Sequence, residues 1–465
     1  MFRVGFSTVD ITPAPGLKMA GMPDPPAGQG VRWPLTGRTI VFDDGVHLAA
    51  LVSLDLLFLM PVTVAEFRQA ITAGTDLAPT DVMIACTHTH RAPYVSALMD
   101  DDTRFDYLDF VRERLVGGMV QALDARRPAR LRVGQIEAPG WTFNRRQVYR
   151  SQRYGKQVGT QGPEWVEDFI RREGPEDNQL LVLLAEDAQG QALGGLVNFA
   201  CHTTVMGGEP VYSADYAGPL TEALQERYGG VFAFLQGAAG NLWSVDMSHP
   251  WDRWPGGPDH AEKMGRALAD KASEALAGGR AVSDGWMRVA RRVLRIPQRR
   301  PTREQVELAK WYLEKAPADL DQQEFTRRIY GHDYTFYHNS ADIQTWFARE
   351  TIGMWEWQRR VGTRELFEDV EVQAIAVGDI AFVGYPAEYF TEFGLKTKAH
   401  SPFATTFVAE LANGWHGYVP TREAFEHGGY EPRLGYQSRL VPEAGDLMCD
   451  TGLQLLAELA GGRLP

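Results

Sequence analysis

The sequence predicts a mixed α/β (α+β) fold, a large two-lobed domain built around mixed sheets with one helical insertion. Three observations support this prediction. The chain has 465 residues, which is more than one hydrophobic core usually fills. Apolar runs of strand length alternate with longer runs of helical periodicity, as in sheets that are covered by helices. One segment, about residues 301–365, differs from the rest because it is rich in charged and aromatic residues.

The individual elements follow from the same periodicities. Short apolar runs bounded by polar or turn-forming residues predict strands. These runs are Ala49–Leu54, Val82–Cys86, Leu131–Val133, Leu180–Leu184, Gly195–Cys201, Val231–Leu235, Val370–Val377, Ile380–Val383 and Thr406–Glu410. Apolar residues at spacings of three and four predict helices over Val64–Ala73, Arg104–Leu123, Pro219–Tyr228, Ala261–Ala277 and Thr302–Ala316. No internal repeat or linker divides the chain, so residues 1–465 are interpreted as one domain.

The predicted insertion at residues 301–365 has two interpretations. It could wall one side of a cleft, since aromatic side chains often line sites for polar molecules. It could equally be a helical pair that only caps the sheet. Its aromatic residues are Trp311, Tyr330, Tyr334, Phe336, Tyr337, Trp346, Trp355 and Trp357.

Composition narrows the class of partner. Hydrophobic residues make up 44% of the chain and charged residues 23%, which is ordinary for a soluble globular protein. The net charge of −13 argues against binding to nucleic acid, because phosphate contacts need a basic surface. It also argues against docking on anionic lipid. We therefore expect a small-molecule substrate, no nucleic acid and no membrane partner.

The termini and cysteines predict the compartment. The first residues lack a basic segment followed by an apolar run, so no signal peptide is expected. The most apolar stretch, Leu48–Met60, contains Asp55 and is too short to span a bilayer. Only three cysteines occur, which excludes a disulfide framework. These features predict a cytoplasmic location.

The histidines carry the first indication of chemistry. His88 and His90 directly follow the apolar run Val82–Cys86. Alternate residues of an extended chain point to the same side, so both imidazoles could face one point beyond a strand end, where α/β proteins place their ligands. Imidazole is a common metal ligand. Satisfied core histidines or exposed histidines are the alternative.

Two further residues repeat this context. His202 follows the strand-like run Gly195–Cys201, and Glu388 follows a strand that enters a Gly/Pro turn. Catalytic zinc typically takes three protein ligands and leaves a position for water or substrate. Cys86 and Cys201 are rival ligands by position. We interpret them as buried structural residues, because no CxxC spacing accompanies them.

With these residues in place, the chain resembles the catalytic domain of the neutral (non-lysosomal) ceramidase family. Seven short motifs match in order along nearly the whole chain. They are the opening Val4-Gly5 with Val9–Pro13 and Met19–Gly21, then Thr87–His90, Asn144-Arg145, Cys201–Thr204, Ser213–Tyr216, Gly384–Glu388, and Gly417–Thr421 with Tyr430-Glu431.

The resemblance implies a role for each matching residue. His88, His202, Glu388 and Tyr418 would be the ligands of a zinc ion. His90, Arg145 and Tyr430 would be the catalytic residues that line the substrate site. His90 would then accept or return a proton, while Arg145 and Tyr430 would donate hydrogen bonds to the developing oxyanion or to a polar headgroup.

Three departures from the family pattern concern mechanism and substrate. Trp243 stands where ceramidases have a serine, with Ser244 one residue late, and Asn241 replaces an aspartate. The chain ends at Pro465, so the further C-terminal β-sandwich domain of these ceramidases is not expected. The aromatic segment 301–365 is the third departure. Together they favour a small soluble substrate over a membrane sphingolipid.

Three functional hypotheses remain open at this point. The first is a zinc-dependent hydrolase that cleaves an N-acyl or cyclic amide bond with metal-activated water. The second is a metal-dependent esterase or lyase that acts on a carbohydrate-like substrate in the same pocket. The third is a non-catalytic binding protein that contains a metal. It is disfavoured because structural zinc usually has a closed Cys/His shell.

Overall fold

The computed structural model describes residues 2–21, 26–95, 103–151, 155–159, 169–249, 256–283, 285–316, 320, 341–362 and 366–461. The helices of the described residues are numbered in chain order. They are α1 (Pro61–Thr72), α2 (Thr103–Asp124), α3 (Ala217–Tyr228), α4 (Pro258–Ala277), α5 (Arg303–Lys315), α6 (Ala341–Val361), α7 (Thr391–His400), α8 (Arg422–His427) and α9 (Ala444–Leu459). A short 3₁₀ helix covers Pro79–Asp81.

The strands occur singly or in runs before and between these helices, the longest run lying between α2 and α3. They are β1 (Arg3–Asp10), β2 (Gly30–Trp33), β3 (Thr36–Asp43), β4 (Leu48–Leu54), β5 (Val82–Cys86), β6 (Arg127–Pro128), β7 (Arg130–Glu137), β8 (Phe143–Asn144), β9 (Gln147–Ser151), β10 (Gly155–Gly159), β11 (Phe169–Arg172), β12 (Gln179–Glu186), β13 (Ala192–Phe199), β14 (Val211–Ser213), β15 (Val231–Gln236), β16 (Leu242–Trp243), β17 (Arg280–Ala281), β18 (Met287–Pro297), β19 (Phe367–Val377), β20 (Ile380–Tyr385), β21 (Glu388–Tyr389), β22 (Thr405–Glu410) and β23 (Tyr418–Val419).

Three larger sheets form the framework. Their strand orders are β5-β4-β3-β1-β6, β15-β13-β12-β7-β17 and β18-β19-β20-β22. Each sheet is antiparallel except for one parallel pair at an edge. These pairs are β4 with β5, β13 with β15, and β20 with β22. The predicted mixed α/β class is therefore confirmed, and each of the predicted strands and helices coincides with an observed one.

The three sheets share one inner core. Phe42 of the first sheet stacks on Phe382 of the third at 5.9 Å between ring centroids, and Phe382 stacks on Phe407 at 4.9 Å. Leu181 and Leu183 of the second sheet join the same cluster. Each sheet has a helical layer on its other side. Helices α1 and α2 cover the first sheet, α3 and α4 the second, and α7 and α9 the third.

Local sequence explains the helix positions. In α4, Met264, Leu268 and Ala272 recur at intervals of four and are all buried, so one stripe faces the sheet. Helix α5 begins at a capping box, in which the Thr302 side chain accepts from the Gln305 backbone and the Gln305 side chain accepts in return. This exchange satisfies two amide groups that a helix start otherwise leaves unpaired.

The segment predicted as an insertion contains α5 and α6, which pack on each other through Ala309, Tyr312 and Ala348. Its residues Tyr330, Tyr334, Phe336 and Tyr337 lie outside the described residues. Among the helices of the described ranges, none has the length and apolarity needed to cross a bilayer.

The edge strands place polar side chains at one location. In each parallel pair the two carboxyl ends lie side by side, and the loops that leave them carry the histidines and carboxylates picked out above. His88 follows β5, His202 follows β13 and Glu388 follows β20. In α/β folds, the carboxyl ends of parallel strands are where ligand sites form. The fold thus positions the candidate site at the meeting point of the three sheets.

Candidate metal centre and active-site pocket

The loop after β5 turns sharply at its first histidine. His88 has a φ of 66°, in the left-handed region that residues other than glycine rarely adopt. Its backbone N–H donates to Leu56 O at 3.0 Å, which holds the turn. The rings of His88 and His90 lie 4.9 Å apart. The two imidazoles converge as the sequence predicts, but the reason differs, because the chain between them is not extended.

The loop after β13 is fastened to the first one. The Thr203 hydroxyl donates to Thr87 O, and the His90 N–H donates to Thr203 O at 3.3 Å. These bonds set His202 opposite His88, with 4.4 Å between ring centroids in an edge-to-face arrangement. The side chains of His88 and His202 are almost fully buried.

The two imidazoles face each other through the same nitrogen. His88 Nε2 and His202 Nε2 are 3.0 Å apart. His88 Nδ1 lies 2.9 Å from Leu57 O, and His202 Nδ1 lies 3.2 Å from Ala239 O. A carbonyl oxygen only accepts, so each Nδ1 is assigned the proton in the neutral ring. Both Nε2 atoms then present lone pairs to the same point.

A carboxylate completes this arrangement. Glu388 Oε2 lies 3.4 Å from His88 Nε2 and 3.7 Å from His202 Nε2. Its other oxygen accepts from Trp415 Nε1 at 3.0 Å. Strands β21 and β23 pair in parallel with Glu388 beside Tyr418, and the Tyr418 hydroxyl is hydrogen-bonded to the Glu388 carboxylate. The structure therefore brings together all four residues predicted as ligands.

The electrostatics of the cluster reflect this convergence. Burial alone would raise the pKa of Glu388, but the charge and hydrogen bond of His88, together with Tyr418 and Trp415, lower that pKa to about 2. Burial lowers the pKa of His88, yet Glu388 outweighs it and raises the pKa overall. Burial and the charges of His88 and Arg145 hold the pKa of His202 well below its usual value.

These donors fit a metal cation. Two opposed imidazole lone pairs and a carboxylate oxygen meet within 3.0–3.7 Å, a contact that a cation between them would make favourable. Each imidazole hydrogen-bonds a carbonyl through its other nitrogen, as metal-bound histidines generally do. His90 adds a further nitrogen, since ligand atoms of His88, His90 and His202 all lie within 4.8 Å of one another.

His90 differs from the two opposed histidines. Its Nδ1 lies 3.2 Å from Gly21 O, while its Nε2 is buried and has no hydrogen-bond partner among the described residues. Gly21 leaves the space for this ring, because a Cβ at that position would lie 2.0 Å from His90 Nδ1. Burial and the neighbouring His88 hold the pKa of His90 well below its usual value.

Arg145 is held by a buried charge network. Its Nε donates to Glu431 Oε1 at 2.8 Å and its Nη2 to Gly240 O at 2.8 Å. A further hydrogen bond joins it to Tyr418, whose ring centroid is 5.4 Å from the guanidinium carbon. Arg146 Nη1 donates to the other Glu431 oxygen at 2.7 Å. Arg145 thus holds Tyr418, one of the four candidate ligands, in position.

Tyr430 borders a cavity of about 420 Å³ that has His88, His90, Glu388 and Tyr418 on its wall. Its ring makes an edge-to-face contact with Tyr418 at 5.6 Å. Burial raises the pKa of the Tyr430 phenol above its usual value, so it remains a hydrogen-bond donor at neutral pH. Helix α6 of the segment 301–365 contributes three more side chains to the wall, namely Trp346, Arg349 and Glu350.

Asn241 and Ser244 stand at or beside the positions where the sequence departs from the family pattern. Asn241 accepts from the Thr391 N–H and donates to Glu392 Oε2, both at 2.9 Å, and so ties the start of α7 to the loop after β15. Ser244 is buried just beyond β16.

The two cysteines that were considered as rival ligands are buried. Burial raises the pKa of the Cys86 and Cys201 thiols well above the usual value, which disfavours a thiolate.

Some residues of the site are absent from the sequence-based prediction. Trp415 fixes Glu388, Glu431 fixes Arg145, and Gln437 lines the cavity. Trp415 lies three residues before Tyr418, and Glu431 belongs to the motif Tyr430-Glu431, although no role was predicted for either. Nothing in the local sequence marks Gln437.

Fold and cluster together define a class, that of mixed α/β proteins with a buried His/His/Glu/Tyr centre beneath a pocket. No protein-family profile matches the chain, and no curated protein matches it by sequence. Among solved structures, it is similar to the neutral ceramidase from Pseudomonas aeruginosa, with a TM-score of 0.70 and 20% identity over 100% of this chain and 75% of that chain. A ceramidase complexed with C2 gives the same TM-score and identity, over 100% of this chain and 76% of that chain. The chain therefore has the neutral ceramidase fold, and the resemblance inferred from the motifs is confirmed at that level.

Proposed function

We propose that the protein is a zinc-dependent hydrolase that cleaves an amide bond, N-acyl or cyclic, in a small soluble substrate. One observation carries the proposal. The Nε2 atoms of His88 and His202 oppose each other at 3.0 Å beside the Glu388 carboxylate, and His88 and Glu388 form part of the wall of a cavity of substrate size.

The residues that would hold the ion are His88, His202, Glu388 and Tyr418. Imidazole with carboxylate suits zinc better than magnesium or calcium, which prefer oxygen ligands alone. A bound zinc ion would supply Lewis acidity toward the scissile carbonyl and would bring the pKa of water near neutrality. The mixed shell beside a cavity is typical of a working site, whereas structural zinc sites are closed Cys/His shells.

His90 is the proposed acid–base group. Its buried Nε2 has no partner among the described residues, and its depressed pKa keeps the ring neutral and able to accept a proton near neutral pH. Because Gly21 O can only accept, the hydrogen bond is assigned as Nδ1–H donating to Gly21 O, which leaves Nε2 as the acceptor. A proton taken up at Nε2 can then be returned to the leaving amine.

Tyr418, Arg145 and Tyr430 have separate proposed roles. Burial and the charge of Glu388 raise the pKa of the Tyr418 phenol well above its usual value, and Arg145 opposes that rise because a guanidinium beside a phenol stabilises the phenolate. Arg145 is thus a positioning residue for Tyr418. Tyr430 borders the cavity itself and would donate a hydrogen bond to the substrate carbonyl oxygen as negative charge develops there.

The experiment is an activity screen of zinc-loaded protein over short N-acyl amides, cyclic amides, lactones and uronate-containing sugars. The proposal expects amide hydrolysis that chelation abolishes and zinc restores. Faster turnover of lactones or sugars would replace it with the esterase or lyase hypothesis. Faster hydrolysis of long-chain ceramide in detergent micelles than of any small amide would refute the proposed substrate class.

A further inference from the structure

The cavity has a second polar region besides the metal cluster. Helix α6 presents Arg349 and Glu350 to the cavity, and Gln437 approaches it from the loop beyond β23. We call these three residues the polar wall. They lie beside aromatic side chains that offer hydrogen-bonding groups only at their edges. The polar wall therefore differs in chemistry from the aromatic lining around it.

Gln437 is the most informative of the three. Its side chain is only 7% exposed, and both its amide oxygen and its amide nitrogen are buried without a hydrogen-bond partner among the described residues. A buried polar group without a partner is unfavourable. A glutamine whose amide has neither partner within the described part of the chain, on the wall of a substrate-sized cavity, is therefore suited to a ligand that provides both.

Glu350 adjoins this amide. A Cβ at Gly435 would lie 3.2 Å from Glu350 Oε2 and 3.8 Å from Gln437 Cδ, so the glycine fills the narrow space beside both side chains. Glu350 Oε2 accepts from the Tyr436 N–H at 2.7 Å, which fixes the carboxyl group. Burial raises the pKa of Glu350 to about 7, so the group is partly protonated near neutral pH.

The charges of the polar wall nearly balance. Arg349, an exposed residue that lines the cavity, brings one positive charge. Glu350 beside it brings a partial negative charge. A carboxylate ligand would be repelled by Glu350 and an ammonium ligand by Arg349. The balance favours an uncharged group that hydrogen-bonds in both directions.

We propose that the polar wall binds an uncharged group of the substrate that offers a hydrogen-bond donor and acceptor side by side, such as a carboxamide or two neighbouring hydroxyls. The inference rests on the proposed hydrolase function and specifies its substrate. Gln437 is then a specificity-determining residue. A hydrocarbon tail in the same position would leave the buried amide unpaired, and a site built for hydrogen bonds rejects such analogues strongly.

Four hydroxamates of equal length test this, because the hydroxamate anchors each ligand at the metal and only the tail varies. The tails are carboxamide, vicinal diol, carboxylate and alkyl. Calorimetric titration of zinc-loaded protein should show the carboxamide or the diol binding about tenfold or more tightly than the alkyl tail. The diol and carboxamide arms distinguish a sugar-like substrate from an amide-bearing one.

Gln437→Met supplies the matched variant, since methionine keeps the size and removes both polar atoms. It should abolish the tail preference and leave the thermal midpoint unchanged or higher. The control is Gln373→Met. Gln373 is a buried glutamine whose amide bonds Thr80, Arg68 and Asn413. That variant should lose stability and keep the preference.

The outcomes separate the two proposals. Protein that binds no zinc refutes the hydrolase function, and with it this inference. Protein that binds zinc and all hydroxamates, but prefers the alkyl or carboxylate tail or shows no preference, overturns the inference alone. An unchanged preference in a folded Gln437→Met variant, checked by circular dichroism, also overturns it.

Discussion

The Nε2 atoms of His88 and His202 face each other at 3.0 Å, while their Nδ1 atoms are bound to carbonyl oxygens of the backbone. Two buried lone pairs at this distance repel each other. Either a proton or a metal ion must lie between them, and Glu388 on the same side favours a positive charge there. The pair is therefore expected to couple metal binding to the stability of the fold.

Purified protein should hold about one zinc ion per chain. Because the ion binds the folded state in preference to the unfolded one, its removal should lower the thermal midpoint, and added zinc should restore it. Elemental analysis and calorimetry with and without a chelator measure both effects. The absence of any transition metal after gentle purification would contradict the assignment, as would an unchanged midpoint after complete removal of the metal.

Histidines 88 and 90 should behave differently on substitution. His88→Ala should lose metal and activity together. His90→Ala should retain the metal and lose roughly two to four orders of magnitude in turnover, as expected for an acid–base group. Metal content and turnover measured on the same preparations make the comparison. Equal metal loss in both variants would mean that His90 is a ligand, which is compatible with the 4.8 Å limit on the distances among ligand atoms of the three histidines.

The sequence predicted the strands correctly where the hydrophobic pattern is strong. The run Val82–Cys86 is buried at every position and was predicted with its observed bounds. Strand β18 (Met287–Pro297) was missed because arginines interrupt its apolar residues and most of its side chains are exposed or half-buried. Strand β1 (Arg3–Asp10) was also missed, since its pattern mixes buried and exposed residues without a clean alternation.

The residues of the site also differ in how far the sequence alone indicates them. His88 and His202 could be found from their positions after strands. No local property of the sequence indicates Tyr418 as a ligand. Its position depends on the parallel pairing of β21 with β23, which joins segments 30 residues apart. Only the family resemblance indicated it. Gln437 depends on the approach of α6 and has no sequence signal, because an unpaired amide is defined by its neighbours.

Ser244→Ala should retain most of its activity. The proposed attack uses water activated by the metal, and Ser244 stands one position beyond the place of the ceramidase serine, just after β16. Steady-state turnover of the variant is the direct measurement. Trapping of a covalent acyl group on Ser244, detected by mass spectrometry of the digested protein, would overturn a mechanism that proceeds without it.

Glu431→Gln should destabilise the protein. Glu431 neutralises both Arg145 and Arg146 and is almost fully buried. Removing one partner of a buried ion pair typically costs about 3–5 kcal/mol, because the other charges stay buried. Denaturant unfolding measures the loss, and Glu423→Gln is the control because its carboxylate is exposed. A loss no larger than in the control would show that the network contributes little.

Glu350→Gln should change how stability depends on pH. Burial raises the pKa of Glu350 from its ordinary 4.5 to about 7 in the folded protein, against the weaker opposing effects of the Tyr436 N–H and Arg439. Between those two values the unfolded chain loses the proton while the folded chain keeps it. The contribution of the protonated Glu350 to the free energy of unfolding is thus fully present below pH 4.5. It is lost as the pH rises from 4.5 through 7.

Glutamine does not titrate and keeps an oxygen that can accept from the Tyr436 N–H. The variant should therefore match the wild type near pH 4.5 and become more stable above pH 7, by about 3 kcal/mol. Unfolding free energies of both zinc-loaded proteins across pH 4.5–8.5 test this, since the pH dependence of metal binding affects both alike. Parallel curves for the two proteins would show that Glu350 ionises at its ordinary pKa, and its full negative charge would then offset the positive charge of Arg349 completely.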